Sequence, residues 1–301
     1  MTSWTVRCVL LAAVVACSAQ ANPLIGGPKT VAVGEDGTAP GVLASPQMGM
    51  GSYVKGATQV AVPLVAVAFE TSAQAHMSNS FMSKSLSLRL SVDDEVLKSI
   101  ADELQAMVEA DLVAQGFEVL PKDSIDADPR WQGIKKNADI GEGVEMKDNF
   151  MSGFMGNGSM NRWYTSGDRP LFGTGFTATL SDLSPLIRTA RDKKISLLFY
   201  RFKVQFTDLE GKNGLVFNYV KGKNVLRIVS ADMAVFTPEH TNAALIKLNA
   251  NVTAGSDFVQ ELKGTTGNYV VVADPVAYKA DSLTLIHAVS RQLAAALKKG
   301  Q

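Results

Sequence analysis

Residues 60–70, VAVPLVAVAFE, decide the fold, because they form a nearly continuous apolar run between polar flanks. A run of this length, with Pro63 near its start, predicts a strand that is buried on both faces. The next segment, SLSLRLS at residues 85–91, alternates leucine with serine and arginine and predicts a strand with one buried face. The beginning of the domain is therefore expected to be built around a sheet.

The clearest helix is predicted at residues 93–115. Acidic residues crowd its first turn and Gly116 lies just beyond its end, as the helix dipole and C-terminal capping favour. One face carries an apolar stripe, which consists of Val96, Leu97, Ile100, Leu104, Met107 and Val108. A short strand is expected at residues 117–120, and an interrupted helix at residues 125–136.

The rest of the chain predicts a helix, a run of strands and a closing helix. The two-residue period of Phe202, Val204 and Phe206 is typical of a strand. Helices are predicted at 184–194 and 281–299, turns at 210–214 and 221–224, and strands at 215–220, 225–236, 246–252 and 269–273. The economical solution is an α/β (α+β) sandwich, in which a mixed, largely antiparallel sheet carries helices mainly on one face.

The amino terminus has the pattern of an export signal at residues 1–21. A basic residue precedes an apolar run of roughly ten residues, which is too short to span a bilayer, and a small-x-small site ends at Ala21. Two outcomes are open, because cleavage after Ala21 would release a soluble protein, whereas the lipobox-like stretch before Cys17 would make Cys17 a lipidated anchor. Beyond Cys17 the chain has no cysteine, which excludes disulfides and cysteine metal sites.

Domain organisation is expected to be simple. Residues 22–58 are rich in Gly, Pro, Ala and Ser and predict a flexible leader, and residues 59–301 predict a single α/β domain. Within it, the glycine-rich residues 138–180 are too long for a plain connector and predict a loop insertion.

The insertion contains Arg162-Trp163-Tyr164 and, further on, Phe172. Such side chains are enriched in binding hot spots, so we name Arg162, Trp163, Tyr164 and Phe172 as candidate partner-binding residues. The alternative is that these aromatics pin the insertion onto its own sheet.

The helix-then-strand unit around residues 104–121 resembles a known group of envelope domains. The residues that carry this resemblance are Leu104, Met107, Val108, Leu112, Gly116, Phe117, Val119, Leu120 and Pro121. Together with the order of the elements, they resemble the periplasmic α/β domain shared by the curli-secretion lipoprotein family and the N-terminal domain of the Tol-system translocation protein. The resemblance implies an assembly or adaptor role through protein binding, and no catalytic residues. Residues 85–91 and 138–180 depart from the pattern.

The sequence contains few motifs for catalysis or metal binding. The three histidines, His76, His240 and His287, are far apart, and His287 is expected to be solvated on the polar face of the last helix. Asp111 interrupts an apolar stripe, so either the stripe emerges into solvent there or Asp111 is a buried, hydrogen-bonded carboxylate. Four methionines, Met146, Met151, Met155 and Met160, could hold copper(I), but as apolar filler they need no metal, and we expect no cofactor.

The leading expectation is a non-catalytic binding or adaptor protein of the cell envelope, active in assembly or secretion. It would lie in the periplasm, either soluble or tethered to the outer membrane, with an envelope protein as its partner. The balance of 29 basic and 29 acidic residues argues against nucleic-acid binding. The alternative is a periplasmic hydrolase or small-ligand-binding protein, whose site would be assembled from Asp208, Asp232, His240 and Asp274.

Overall fold

The computed structural model describes residues 29–42, 44–46, 51–78, 83–133, 143–147, 158–167, 169, 171, 185–213, 218–240, 243–255 and 257–301. Cys17, the predicted lipidation site, and Phe172, a candidate partner-binding residue, lie outside these residues. The described strands, in chain order, are β1 (Thr30–Ala32), β2 (Ala44–Pro46), β3 (Gln59–Ser78), β4 (Ser83–Ser91), β5 (Glu118–Val119), β6 (Glu145–Lys147), β7 (Gly158–Thr165), β8 (Ser196–Asn213), β9 (Asn218–Phe236), β10 (Ala244–Leu248), β11 (Asn251–Thr253), β12 (Val259–Thr265) and β13 (Asn268–Ala273).

The described α-helices are α1 (Asp94–Ala114), α2 (Asp123–Asp126), α3 (Pro129–Gly133), α4 (Leu186–Lys193) and α5 (Pro275–Gly300). Helix α1 confirms the predicted amphipathic helix, and its stripe of Leu97, Ile100 and Leu104 is fully buried. Helix α5 begins six residues before the predicted position, because Asp274 caps it and Pro275 supplies its first turn. No described helix has the length and the apolar content that crossing a membrane requires.

Strand β3 is the central strand of one mixed sheet. Its residues from Val60 to Thr71 are buried, as predicted for this run. Along residues 66–69 it pairs with β7 and β8 at once, and along residues 72–74 with β7 and β4 at once. Because a strand has only two edges, β8 and β4 must follow one another along the same edge. The register of β3 against β7 shifts between Glu70 and Ser72, at the point where β8 gives way to β4.

Two hydrophobic clusters lie on opposite faces of the sheet. Leu198 and Tyr200 of β8 belong to the larger cluster, which also holds the buried faces of α1 and α5. Leu197 and Phe199 belong to the smaller cluster, which holds Trp131 of α3 and apolar residues of α2 and α4. An α+β fold with a large mixed sheet is therefore confirmed. The sheet is a curled half-barrel with helices on both faces, however, which differs from a sandwich with helices mainly on one face.

The predicted leader at residues 22–58 differs from the structure in its described part. Strand β1 pairs with β11 in parallel, and β2 pairs with β10 in antiparallel orientation. Val42 and Val54 are buried in the larger cluster. The glycines and prolines of this segment therefore do not indicate a free tether, because scattered apolar residues give it enough burial to join the sheet.

Strands β8 and β9 form one long hairpin, so the turns predicted at 210–214 and 221–224 are wrong. Asp208 lies opposite Lys223, and residues 221–224 all lie in the ladder of β9. The turn-forming residue types at 221–224 are overridden by pairing with β8. Likewise, the predicted loop insertion at 138–180 contains β6 and β7, and β7 pairs with the central strand.

The tight hairpin between β12 and β13 predicts one sensitive glycine. Gly264 has φ +116°, and a Cβ atom there would lie 2.2 Å from the carbonyl oxygen of Asn268. Gly264→Ala is expected to lower the free energy of unfolding by about 2 kcal/mol or more, because the backbone itself must shift. Gly158→Ala is the matched control, since it has open space around it. Equal urea unfolding midpoints for the two variants would contradict the prediction.

Candidate functional site

The three described candidate residues alternate across β7 rather than forming one patch. Arg162 and Tyr164 lie opposite Phe69 and Val67, on the face covered by α1, whereas Trp163 lies opposite Ala68 on the other face. Trp163 packs against the smaller hydrophobic cluster and is half-buried. The structure therefore brings Arg162 and Tyr164 together and separates Trp163 from them.

Tyr164 is part of the core. It is 4% exposed, and its ring lies 6.0 Å from the ring of Phe69. Burial, together with the negative charge of Asp94, raises the pKa of the Tyr164 hydroxyl to about 12. A side chain in this position stabilises the sheet and cannot contact a partner without local opening.

Arg162 lies at the beginning of α1 and is held by two carboxylates. It pairs with Asp94 in the first turn of α1, and its Nη2 lies 3.3 Å from Oε1 of Glu145 on β6. Although burial opposes it, the charge of these carboxylates raises the pKa of the Arg162 guanidinium. Arg162 thus ties β6, β7 and α1 together while its side chain stays partly accessible.

A groove with a volume of about 350 Å³ opens beside Arg162. Its lining combines Arg162, Glu145, Thr71 and Arg89 with an apolar part, which consists of Leu90, Val92, Leu97 and Val270. Arg89 is exposed on β4 and makes no ion pair with the described part of the chain. Because Arg162 is held by two carboxylates, Arg89 is the cation at the groove that no ion pair within the described part of the chain engages, and it lies beside an apolar floor.

A second polar cluster joins α1 to α5. The side chain of Asp111 is 6% exposed, and its Oδ1 lies 3.0 Å from Nε2 of His287 and 3.7 Å from Nε of Arg291. Nε of Arg291 also lies 3.1 Å from Nε2 of His287, so the tautomer of His287 determines whether Nε2 donates to Asp111 or accepts from Arg291. Of the two alternatives for Asp111, the buried, hydrogen-bonded carboxylate is therefore confirmed, and the stripe that emerges into solvent is wrong. The side chain of His287 is 37% exposed, as expected on the polar face, but it also contacts Asp111 and so helps to join the two long helices.

The four residues of the alternative hydrolase site do not form a common centre. Asp232 pairs with Arg201 at 2.9 Å, and Asp208 pairs with Arg227. Asp208 lies on β8, and Asp232 of β9 lies opposite Arg201 of β8. About seven positions along β8 therefore separate the two aspartates, or roughly 20 Å. The ring of His240 lies 5.2 Å from that of Tyr53, and Asp274 caps α5 by accepting from Val276 and Ala277.

Metal-ligating side chains do not cluster in the part of the chain that the structure describes. No group of three His, Cys, Asp or Glu residues there could hold a metal ion. Of the four methionines considered for copper(I), Met151 and Met155 lie outside the described residues. Met146 and Met160 lie on the paired strands β6 and β7.

Comparisons of the chain with models of known protein families, with curated proteins and with solved structures find no match. The geometry of the site is therefore the structural basis for a proposed function. The resemblance to the periplasmic envelope domains stays a prediction.

Sequence reasoning identified Arg162 but missed Arg89 and the groove. The alternating pattern of residues 85–91 correctly predicts that Arg89 lies on the polar side of its strand. No local pattern, however, places Arg89 near Arg162 or Val270. The Asp111 contact was missed for the same reason, because Asp111 and His287 are 176 positions apart.

The raised pKa of Tyr164 gives a prediction at alkaline pH. In the unfolded chain the phenol ionises near pH 10, whereas in the folded protein it keeps its proton until about pH 12. The contribution of this group to stability is complete below pH 10 and is lost as the pH rises through 12. Tyr164→Phe should therefore lose less unfolding free energy than the wild type between these pH values in urea titrations. Parallel losses in both proteins would refute the assignment.

The buried carboxylate of Asp111 gives a second prediction. Asp111→Ala should lower the free energy of unfolding by about 1–3 kcal/mol, because it removes the carboxylate that contacts His287 and forms an ion pair with Arg291 inside the helix interface. The matched control is Asp192→Ala, which breaks an exposed pair with Arg130 and should cost less than about 1 kcal/mol. Chemical denaturation of the two variants measures the difference, and a larger loss for Asp192→Ala is the outcome that excludes this role.

Proposed function

We propose that this chain is a non-catalytic binding or adaptor protein of the cell envelope, which recognises a partner protein through the groove at the beginning of α1. The observation that carries the proposal is the composition of this groove, in which Arg89 and Arg162 lie beside an apolar floor. Arginine next to apolar surface is typical of protein-binding sites, because it combines charge with a large contact area.

The chemistry of the groove selects a class of partner. Arg162 is paired with Asp94 and Glu145, so Arg89 is the cation left to attract a partner. A partner segment that presents a carboxylate next to an apolar side chain would satisfy Arg89 and cover the apolar floor together. The carboxylate would also provide electrostatic attraction before contact.

The aspartates considered for a hydrolase site already make structural contacts, which supports a binding role over a hydrolytic one. Asp208, Asp232 and Asp274 each serve a structural contact, as a strand-to-strand ion pair or a helix cap. The proposal also includes export through residues 1–21, a location in the cell envelope, lipidation at Cys17 as the alternative to cleavage, and a role in assembly or secretion. These parts depend on the sequence pattern and on the resemblance to the periplasmic domain families.

A small-ligand-binding protein is the second candidate function. A volume of about 350 Å³ lies at the lower end of the range of small-molecule sites. In that case a small carboxylate with an apolar tail would bind the same groove without any protein partner.

The proposal predicts that partner capture depends on Arg89. Arg89→Glu reverses the charge of this unpaired side chain and should abolish capture of the partner from envelope extracts, because the partner's carboxylate would then be repelled. The matched control is Lys84→Glu, which makes the same charge change at an exposed position of the same strand outside the groove. Affinity capture with quantitative mass spectrometry compares wild type and the two variants.

Capture that is lost with Arg89→Glu and kept with Lys84→Glu supports the groove. Capture that survives both changes, or the absence of any specific protein in the wild-type fraction, counts against the proposal. A thermal shift of the wild type with small amphiphilic carboxylates, combined with an empty capture fraction, would favour the ligand-binding alternative.

A further inference from the structure

Strand β12 ends the described sheet. The order of strands runs through β3, β4 and β13 to β12, and among the described strands β12 pairs with β13 alone. One edge of β12 therefore faces away from the sheet. An open edge of this kind offers backbone donors and acceptors to another strand.

The turn at the end of β12 determines which backbone groups point to the open edge. Thr266 and Gly267 both have positive φ, which is the geometry of a two-residue type I′ turn. In such a turn the carbonyl of Thr265 faces the paired strand. Because residues 261–265 keep a continuous register with β13 and backbone groups alternate in direction along a strand, the N–H and C=O groups of Leu262 point to the open edge.

The side chains of β12 have a symmetric arrangement around Leu262. Glu261 and Lys263 lie on one face, with Nζ and Oε2 3.0 Å apart. Leu262 lies on the other face and is 51% exposed, although Val271, its neighbour across the ladder, is fully buried. An apolar side chain is thus half uncovered at the open edge, between one acidic and one basic residue.

We propose that β12 pairs in antiparallel orientation with β12 of a second copy of this chain, centred on Leu262. A two-fold axis through this position places Leu262 opposite the partner's Leu262, with both N–H···O bonds exchanged between them. The same axis places Glu261 opposite the partner's Lys263, and Lys263 opposite the partner's Glu261. The two sheets then form one continuous sheet across the dimer.

The choice of a second copy as the occupant follows from this charge pattern. An acidic and a basic residue at equal distances on either side of the centre make the strand complementary to itself, and opposite charges in facing positions stabilise a strand pair. The exposed Leu262 is covered by its own counterpart in the same step. Contact with an unrelated acidic or basic strand would leave one of the two charges facing its like.

The pairing is short, and this determines its strength. The register of β12 shifts between Val259 and Glu261, and the turn begins at Thr266, so few residues remain for regular pairing. We therefore expect a weak, concentration-dependent dimer with a dissociation constant on the order of 10 µM, as is typical of small interfaces.

Charge reversal at the two positions tests the register. In sedimentation velocity runs over about 1–500 µM, E261K and K263E alone should each weaken the wild-type dimer roughly tenfold, because like charges then face each other twice. The double variant E261K/K263E should restore the wild-type affinity. An equimolar mixture of the two single variants should form heterodimers, since all facing charges are then opposite.

The controls separate dimerisation from folding. Lys84→Glu, an equal charge change on β4, should leave the dimer unchanged, and the melting temperatures of all variants should agree at concentrations where the chain is monomeric. A wild type that stays monomeric at every concentration overturns the proposal and leaves the charges of β12 as protection of the edge. So does a dimer that the single reversals do not weaken or that the double variant does not restore.

Discussion

The burial of β3 on both faces is the constraint on which the fold depends. The residues between Val60 and Thr71 are buried, so their N–H and C=O groups need partners within the protein. Neighbouring strands supply most of these partners, and the carbonyl of Val62 accepts from Nε2 of Gln105 on α1. No single strand pairs with the whole length of β3: β8 and β4 share one edge, and β5 and β7 share the other. The sheet therefore has two branches, which separate near Thr71 where the partner of β3 changes from β8 to β4, and the curled half-barrel packs against α1 and α5.

Local patterns predicted the elements whose burial is regular. The stripe of α1 and the apolar run of β3 each repeat one periodicity without a break, so their positions were correct. Residues 221–224 have turn-forming types but lie in β9, because twelve other residue pairs of the hairpin fix the register. Strands β1 and β2 have too few residues to show any period. Their pairing partners, β11 and β10, lie about two hundred positions away.

The candidate site was predictable only as residue types. Arg162, Trp163 and Tyr164 are the kinds of side chain that bind partners, but a strand turns alternate side chains to opposite faces, and only a strand assignment reveals that Tyr164 belongs to the core. The groove needs more than this. Arg89 and Val270 reach it from β4 and β13, which pair in parallel despite their separation in sequence, so no local pattern joins them.

The two branches of the sheet differ in whether their arginines have ion-pair partners. Across β8 and β9, Arg201 pairs with Asp232 and Arg227 with Asp208, so both arginines of this hairpin are paired within it. In the branch made of β4, β13 and β12, Arg89 has no ion pair and β12 has no second neighbour among the described residues. Thr71, at the register shift where the branches separate, lines that groove, and its hydroxyl donates to the carbonyl of Met160. The register shift at which β3 passes from β8 to β4 therefore lies at the groove through which we propose that the molecule binds its partner.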